Sequence, residues 1–254
     1  MSTRLLIVDD QPNARELIRT FLTMPGIIFQ ECASGNDAVA CVQEFKPHWI
    51  TMDIQMPGMN GFEAIKAIKK AHPEAHVIIV TSFNEPQYRD LARSAGASAF
   101  ILKENLLALR LMLERESKNT NAPSSPAGGA GQAKRILVVD DDKEIQAALG
   151  ELLTAEGHQV TFAMNGLEAL SLHRQSAFDL VVIELLLAGN EGFETLAELR
   201  RIPSPPKFIA TAKSSWMPVH VYSKMAKQLG VQATLAKPFL PDQLLTAVRS
   251  ALTQ

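Results

Sequence analysis

Five polar residues in the first half of the chain are of the types that handle phosphoryl groups: Asp9, Asp10, Asp53, Thr81 and Lys103. Each stands at or directly after the end of a short apolar run. Three carboxylates brought together repel one another unless a cation joins them, and hard oxygen ligands suit Mg²⁺ or Mn²⁺. A carboxylate can also be a nucleophile that forms an aspartyl-phosphate. Asp53 is the best candidate, because it stands alone on a central strand.

The other two residues complete this chemistry. In phosphoryl transfer the protein mainly positions groups and stabilises charge. Lys103 can neutralise one oxygen of the transferred group, and the Thr81 hydroxyl can donate to another. Taken singly, each of the five residues has an ordinary explanation as a helix cap, a turn residue or a solvated charge. Their convergence at one edge of the fold is what predicts a site.

The elements that would position these residues alternate between strand and helix. Apolar runs predict strands at 5–9, 27–33, 49–53, 76–81 and 99–103. Helical periodicity lies between them, for example at 13–24 and 59–71, and Pro12 suits a first helical turn. Near-continuous apolar strands indicate a parallel sheet covered on both faces, and such sheets bind ligands at the carboxyl ends of their strands.

The unit occurs twice. RLLIVDDQ at 4–11 matches RILVVDDD at 135–142, and the predicted strands of the second copy are 136–140, 159–163, 180–184, 207–211 and 233–237. Residues 117–134 are rich in Ser, Ala, Gly and Pro, which predicts a flexible linker. We therefore expect two doubly wound α/β domains, at 1–116 and 135–254.

The composition excludes several classes of protein. A hydrophobic content of 46% with 20% charged residues describes a globular protein, and a net charge of −2 argues against a nucleic-acid footprint. No apolar run is typical of a signal peptide or a membrane span, so we expect no membrane partner. Cys32 and Cys41 are interpreted as free thiols, which fits a reducing cytoplasm.

Residues 1–116 resemble the receiver domains of two-component response regulators. The segments that carry the resemblance are VDD at 8–10, MDIQMPGMNG at 52–61, VTS at 80–82 and LK at 102–103. The resemblance implies a flavodoxin-like (βα)5 fold for each unit. It also implies that Asp53 takes a phosphoryl group from a phosphohistidine on a sensor histidine kinase or a histidine phosphotransfer protein.

The same resemblance implies the ligands of the metal, Mg²⁺ or Mn²⁺. Asp10 would be a direct ligand and Asp9 a partner through water, beside the acceptor Asp53. The main-chain carbonyl of Gln55 would complete the protein's share of the coordination sphere.

A switch is implied as well. Thr81 would turn toward the phosphoryl group while Phe100, three residues before Lys103, rotates inward. An ordinary strand aromatic is the alternative interpretation of Phe100. Glu104 is a departure, because receivers often carry Pro after the lysine. Lys-Glu is more similar to receivers joined to helix-turn-helix output domains.

The second half also resembles a receiver, with a degenerate site. Asp140 and Asp141 hold the positions of the acidic pair, Thr211 that of the threonine and Lys237 that of the lysine. Glu184 lies 44 residues after Asp140, which is the separation of Asp53 from Asp9. Pro238 follows the lysine, where receivers often have a cis bond.

Three substitutions set the second unit apart: Glu184 at the acceptor position, Ala188 for Pro57, and Thr234 for Phe100. Glu places its carboxylate about 1.5 Å further out. A misplacement of about 1 Å can cost on the order of a hundredfold in rate. We therefore predict that Glu184 is not a productive phosphoacceptor and that the second unit is a pseudo-receiver.

Two interpretations of Glu184 stay open. It imitates a phosphorylated Asp by reaching Lys237 or Thr211, or it is an inert remnant. Moving a switch from 1:99 to 99:1 needs about 5.5 kcal/mol, and a carboxylate–ammonium contact near the surface seldom supplies that. We favour a domain locked in one conformation and used as a binding surface.

Several functions compete at this point. The first is a response regulator that acts through protein contacts, with an unidentified downstream target, or as a dimer paired through receiver faces. The chain ends at Gln254 after one last helix, so we expect no DNA-binding or enzymatic output and no direct nucleic-acid partner. The alternatives are a phosphate sink, an unphosphorylated scaffold and a phosphatase of the haloacid dehalogenase type. The last is disfavoured because its Asp-x-Asp pattern is absent after Asp9 and after Asp53.

Overall fold

The computed structural model describes residues 2–118, 133–187, 191–213 and 219–253. The chain divides into two compact units, Met1–Ser117 and Lys118–Gln254. Most of the predicted linker at 117–134 lies outside the described residues, and so does Ala188.

The first unit is a five-stranded parallel sheet in the order β2-β1-β3-β4-β5. Its strands are β1 (Thr3–Val8), β2 (Ile27–Cys32), β3 (Trp49–Met52), β4 (His76–Thr81) and β5 (Ala99–Leu102). Its helices are α1 (Pro12–Leu22), α2 (Gly35–Phe45), α3 (Gly61–Ala71), α4 (Pro86–Ala95) and α5 (Leu106–Lys118), with a short 3-10 turn at Lys103–Asn105 before α5.

The second unit has the same topology, with strand order β7-β6-β8-β9-β10. Its strands are β6 (Arg135–Val139), β7 (Gln159–Ala163), β8 (Leu180–Glu184), β9 (Lys207–Lys213) and β10 (Ala233–Lys237). Its helices are α6 (Lys143–Ala155), α7 (Gly166–Gln175), α8 (Glu191–Arg201), α9 (Val219–Gln228) and α10 (Pro241–Thr253). The predicted fold class, two doubly wound flavodoxin-like α/β units, is therefore confirmed.

Local chemistry explains where the helices begin and end. The predicted helix at 13–24 ends at Leu22, because Pro25 disfavours a helical conformation at Met24. The predicted helix at 59–71 begins at Gly61, because Asn60 and Glu63 form a capping box at its start. Pro12 occupies the first turn of α1, as expected.

Both sheets bury their central strands. β1, β3 and β4 have nearly every apolar side chain in the core, and so do β6, β8 and β9 in the second unit. Cys32 and Cys41 are free, as predicted. Burial and the neighbouring Cys41 raise the pKa of the Cys32 thiol to about 12. The peptide bond between Lys237 and Pro238 is cis. Within the described residues, no helix combines the length and the apolar character that crossing a bilayer requires.

Candidate functional site

Two neighbouring strand ends place the first carboxylates side by side. Asp9 follows β1 and Asp53 follows β3, and the last residues of these two strands, Val8 and Met52, are register partners. The backbone N–H of Asp53 donates to the Val8 carbonyl at 2.9 Å, and that of Asp9 donates to the Cys32 carbonyl at 3.2 Å. The sheet therefore fixes the spacing of the two carboxylates.

Three carboxylates converge at this edge. Asp9, Asp10 and Asp53 each offer an oxygen, and these oxygens all lie within 4.8 Å of one another. Asp9 and Asp53 are buried and Asp10 is partly exposed. The Oδ1 atom of Asp10 is buried and has no hydrogen-bond donor among the described residues. An orphaned carboxylate oxygen in an all-oxygen donor set fits a hard divalent cation such as Mg²⁺.

Lys103 lies against this group. Its Nζ is 2.6 Å from Oδ2 of Asp9 and 3.4 Å from Oδ1 of Asp53. Burial raises the pKa of the Asp53 carboxyl above its usual value, with a further raising by Asp9, although the Lys103 ammonium acts in the opposite direction. The site therefore concentrates negative charge that one ammonium only partly neutralises.

The ordinary roles of these aspartates coexist with the cluster. Oδ1 of Asp9 accepts from the Gln11 N–H at 3.0 Å, and Oδ2 of Asp53 accepts from the Gln55 N–H at 3.2 Å. Each side chain thus stabilises the turn that follows its strand while it faces the cluster. The turn after Asp53 also brings the backbone of Gln55 to the site.

Two residues at the site were not singled out from the sequence. A Cβ on Gly61 would overlap the backbone oxygen of Asp53, so only glycine lets α3 begin this close to the acceptor. Nη1 of Arg15 donates to the Asp9 carbonyl at 2.7 Å. In the second unit Nε2 of Gln146, at the equivalent position, donates to the Asp140 carbonyl at 2.7 Å. The sequence did carry a signal for Arg15 and Gln146: each is a long side chain with N–H donors, at the same spacing after its acidic pair.

The proposed switch residues are both buried. Thr81 is fully buried, and its hydroxyl accepts from the Phe83 N–H at 3.4 Å. Phe100 is 9% exposed, and the guanidinium carbon of Arg89 lies 4.7 Å from its ring centroid. The aromatic ring therefore lies inward, under a cation from α4.

The second unit gathers fewer groups, and it buries them more deeply. Nζ of Lys237 lies 2.5 Å from Oδ2 of Asp140 and 2.7 Å from Oε2 of Glu184. All three side chains are at most 2% exposed. Asp141 is exposed, and within the described ranges the acidic residues of this unit form no three-carboxylate group like that of Asp9, Asp10 and Asp53.

Glu184 makes the contacts expected of a phosphate mimic. Its Oε2 also accepts from the Thr211 hydroxyl at 3.5 Å, in addition to its pairing with Lys237. The premise that the carboxylate–ammonium contact lies near the surface is wrong, because the apolar β8 strand carries Glu184 into the interior. A buried pair interacts more strongly and is screened less than an exposed one.

The two sheets have the same register here, but the two threonines hold different positions in it. Met52, directly before Asp53, pairs with Ile79, two residues before Thr81. In the second sheet Glu184 itself pairs with Thr211. Ile183, directly before Glu184, pairs with Ala210, so Ala212 holds the position of Thr81 and the match of Thr211 to Thr81 is wrong by one residue. The hydroxyl of Thr211 lies beside the longer carboxylate.

Comparison with known proteins gives one family. The family model described as response regulator receiver domain matches residues 5–114 and 136–249. The chemotaxis protein CheY of Thermotoga maritima is 39% identical over 104 residues, which are 41% of this chain and 87% of CheY. The transcriptional regulatory protein CpxR of Klebsiella pneumoniae is 35% identical over 118 residues, which are 46% of this chain and 49% of CpxR. The chain thus spans about half the length of CpxR.

Solved structures of response regulators are also similar to this chain. The response regulator domain of Thermotoga maritima CheB is 29% identical, with a TM-score of 0.42, and the match covers 49% of this chain and 100% of that one. A putative two-component response regulator/GGDEF domain protein is 22% identical over the full length of both chains, with a TM-score of 0.44. The two segments that the family model matches make up most of the chain and contain both sheets, and we conclude that the chain belongs to the response regulator receiver family, with two receiver domains in tandem.

Proposed function

We propose that Asp53 accepts a phosphoryl group from a phosphohistidine on a sensor histidine kinase or a histidine phosphotransfer protein, and that this switches a protein-interaction surface. The observation that carries the proposal is the convergence of Asp9, Asp10 and Asp53 at one sheet edge with Lys103 against them. The ordinary explanation of each residue alone does not account for the four together.

Mg²⁺, or Mn²⁺ in its place, fits the donor set of the first unit. Asp10 and Asp53 would hold it directly, Asp9 through water, and the Gln55 carbonyl would add a main-chain ligand. When bound, the cation supplies positive charge to the transferred group and relieves the repulsion among the carboxylates. The buried Oδ1 of Asp10 supports this assignment, since the described residues give it no hydrogen-bond donor.

The transfer itself needs few protein groups. A carboxylate oxygen of Asp53 attacks phosphorus, the new O–P bond forms, and the P–N bond to the donor histidine breaks, with the electron pair leaving on the imidazole. The Lys103 ammonium, 3.4 Å from Asp53, is in reach of an oxygen of the incoming group. The Thr81 hydroxyl can donate to another oxygen after it turns away from the Phe83 N–H.

The switch is proposed to pass from Thr81 to Phe100. Phe100 lies on β5 beside β4, and Arg89 of α4 covers its ring at 4.7 Å. Because the ring of Phe100 contacts α4, a movement of Thr81 at the end of the neighbouring strand β4 can be passed on to that helix. We propose that α4 and β5 change shape together and present the result to a protein partner or a second chain.

The proposed output is a protein contact in the cytoplasm, with no chemistry beyond transfer to Asp53 and later hydrolysis. The relatives include a chemotaxis protein and transcriptional regulators, so they do not indicate a single downstream target. A phosphate sink would take up the phosphoryl group and bind no downstream target. A stoichiometric complex that forms only with phosphorylated protein separates the two functions.

Intact mass after treatment with acetyl phosphate and Mg²⁺ tests the proposal. We expect wild type to gain one phosphoryl group, Asp53→Ala to gain none, and Glu184→Ala to behave as wild type. A phosphoryl group on Asp53→Ala would show that another residue is the acceptor. A wild type that stays unmodified with every donor, phosphorylated kinase included, would favour the scaffold.

A further inference from the structure

The two units balance the charge at their acidic strand ends in different ways. In the first, Asp9, Asp10 and Asp53 form one group, and Lys103, whose side chain is 17% exposed, pairs with Asp9 and Asp53. Three carboxylates and one ammonium leave two negative charges uncompensated. In the second, Asp140 and Glu184 face Lys237, whose side chain is 1% exposed, and one negative charge is left. Asp141 is exposed, unlike Asp140 and Glu184.

The longer acceptor side chain makes the second arrangement tight. The Glu184 carboxylate comes within 2.7 Å of Nζ of Lys237, whereas the Asp53 carboxylate is 3.4 Å from Nζ of Lys103. Burial by itself lowers the pKa of the Lys237 ammonium, but Asp140 and Glu184 outweigh it, and the pKa is raised. Lys237 therefore keeps its positive charge in the interior.

Every carboxylate oxygen at this centre has a partner. Oδ1 of Asp140 accepts from the Asp142 N–H at 3.0 Å, and Oδ2 faces Lys237. Oε1 of Glu184 accepts from the Leu186 N–H at 2.9 Å, and Oε2 faces Lys237. The contrast with the first unit lies in Asp10, whose buried Oδ1 finds no donor in the described part of the chain.

We propose that the Lys237 ammonium takes the place of the divalent cation in the second unit, as a counter-ion built into the chain. The residues of this unit therefore do not fit the metal that the receiver fold implies. This goes beyond the proposed function, which concerns Asp53 in the first unit, and does not rest on it.

A free divalent cation competes poorly for this centre. Mg²⁺ requires near-octahedral coordination by oxygen and usually keeps several waters, while the centre is buried and its carboxylates are already engaged. Displacing Lys237 would also leave a buried ammonium without its counter-charges, which is strongly unfavourable. The charge balance of this centre thus does not depend on a metal ion.

Mn²⁺ binding to the full chain, measured from the electron paramagnetic resonance signal of the free ion, tests this inference. Asp10→Asn disables the cluster of the first unit, so any remaining saturable binding reports the second. We expect none at millimolar Mn²⁺. Adding Lys237→Met to Asp10→Asn should create one equivalent of binding, or a melting temperature that rises with Mn²⁺. Adding Lys237→Arg should create neither, because it keeps the charge.

Two results would overturn the inference. One is saturable Mn²⁺ binding in Asp10→Asn that disappears when Asp140→Asn is added. The other is an Asp10→Asn, Lys237→Met protein that neither binds Mn²⁺ nor is stabilised by it. The first result is independent of whether Lys237→Met folds. Mn²⁺ binding to wild type measures the metal site of the first unit separately, so a failure there is not mistaken for a failure here.

Discussion

Ser223 and Thr234 share a hydrogen bond of 2.9 Å between their hydroxyls, at the positions that hold Arg89 and Phe100 in the first unit. The correspondence follows from Gly96 and Gly230, which come after α4 and α9 and lie at the same distance from these pairs. Where the first unit has a cation over an aromatic ring, the second unit thus has a hydrogen bond between two hydroxyls that joins α9 and β10. The second unit therefore lacks the aromatic ring that would rotate, and the expectation from Thr234 that this unit does not switch stays a prediction.

The hydrogen bond between Ser223 and Thr234 should contribute measurably to the stability of the second unit. Ser223→Ala removes one hydroxyl of a partly buried pair and should lower the free energy of unfolding of the second unit by about 0.5–1.5 kcal/mol. Amide hydrogen exchange of β10 in the full chain measures the change. A double-mutant cycle with Thr234→Val isolates the pair, and strict additivity of the two single changes would show that the hydroxyls do not interact.

The two lysines should respond differently to removal of their charge. Lys237→Met leaves Asp140 and Glu184 buried without their ammonium and should destabilise the second unit by about 3–5 kcal/mol. Lys103→Met should cost less stability, because water reaches this more exposed site. Its main effect should be slower phosphorylation of Asp53. Thermal unfolding and intact-mass kinetics of both variants measure the contrast, and equal losses of stability would contradict it.

The close approach of the first residue of α3 to Asp53 should affect how fast Asp53 is phosphorylated. Gly61→Ala would push its Cβ into the backbone oxygen of Asp53 and should slow phosphorylation by on the order of a hundredfold, through a displacement of about 1 Å. Gly58→Ala is the matched control. Gly58 has a φ of +78° and open space around its Cβ, so the change should cost about 1 kcal/mol without moving Asp53. Equal phosphorylation rates in the two variants would argue against the steric account.

Much of the fold was predictable because buried parallel strands leave long apolar runs. The predicted strand at 76–81 matches β4 residue for residue, and the one at 180–184 matches β8. β9 runs two residues past its predicted end, to Lys213, because nothing in the local sequence shows how far pairing with β10 continues.

The site was less predictable than the strands. Asp9, Asp53 and Lys103 could be placed together because parallel strands end at one edge of the sheet. The depth of Glu184 could not be inferred, because it depends on how far β8 carries the side chain into the interior. The pairing of Thr211 with Glu184 could have been inferred from the sequence, because Thr211 lies 27 residues after Glu184 whereas Thr81 lies 28 residues after Asp53.

The pH dependence of the second unit should reveal Asp140. Burial raises the pKa of this carboxyl from 3.8 to about 6, against the opposing effect of Lys237 and with a further raising by Glu184. A pKa that is raised in the folded state adds stability below pH 3.8, and that stability is lost as the pH rises through about 6. The free energy of unfolding of Asp140→Asn, relative to that of wild type, should therefore increase by on the order of 2–3 kcal/mol between pH 4 and pH 7.5.

Carboxyl ¹³C NMR of Asp140 checks the same group directly, and Glu184→Gln is the control. Glu184 raises the pKa of Asp140, so removing its charge should lower the titration midpoint. Denaturant unfolding of wild type and Asp140→Asn across the pH range gives the stability difference. If that difference stays flat, or if the Asp140 midpoint lies below 3.8, the pairing with Lys237 outweighs burial and the sign of the effect is reversed.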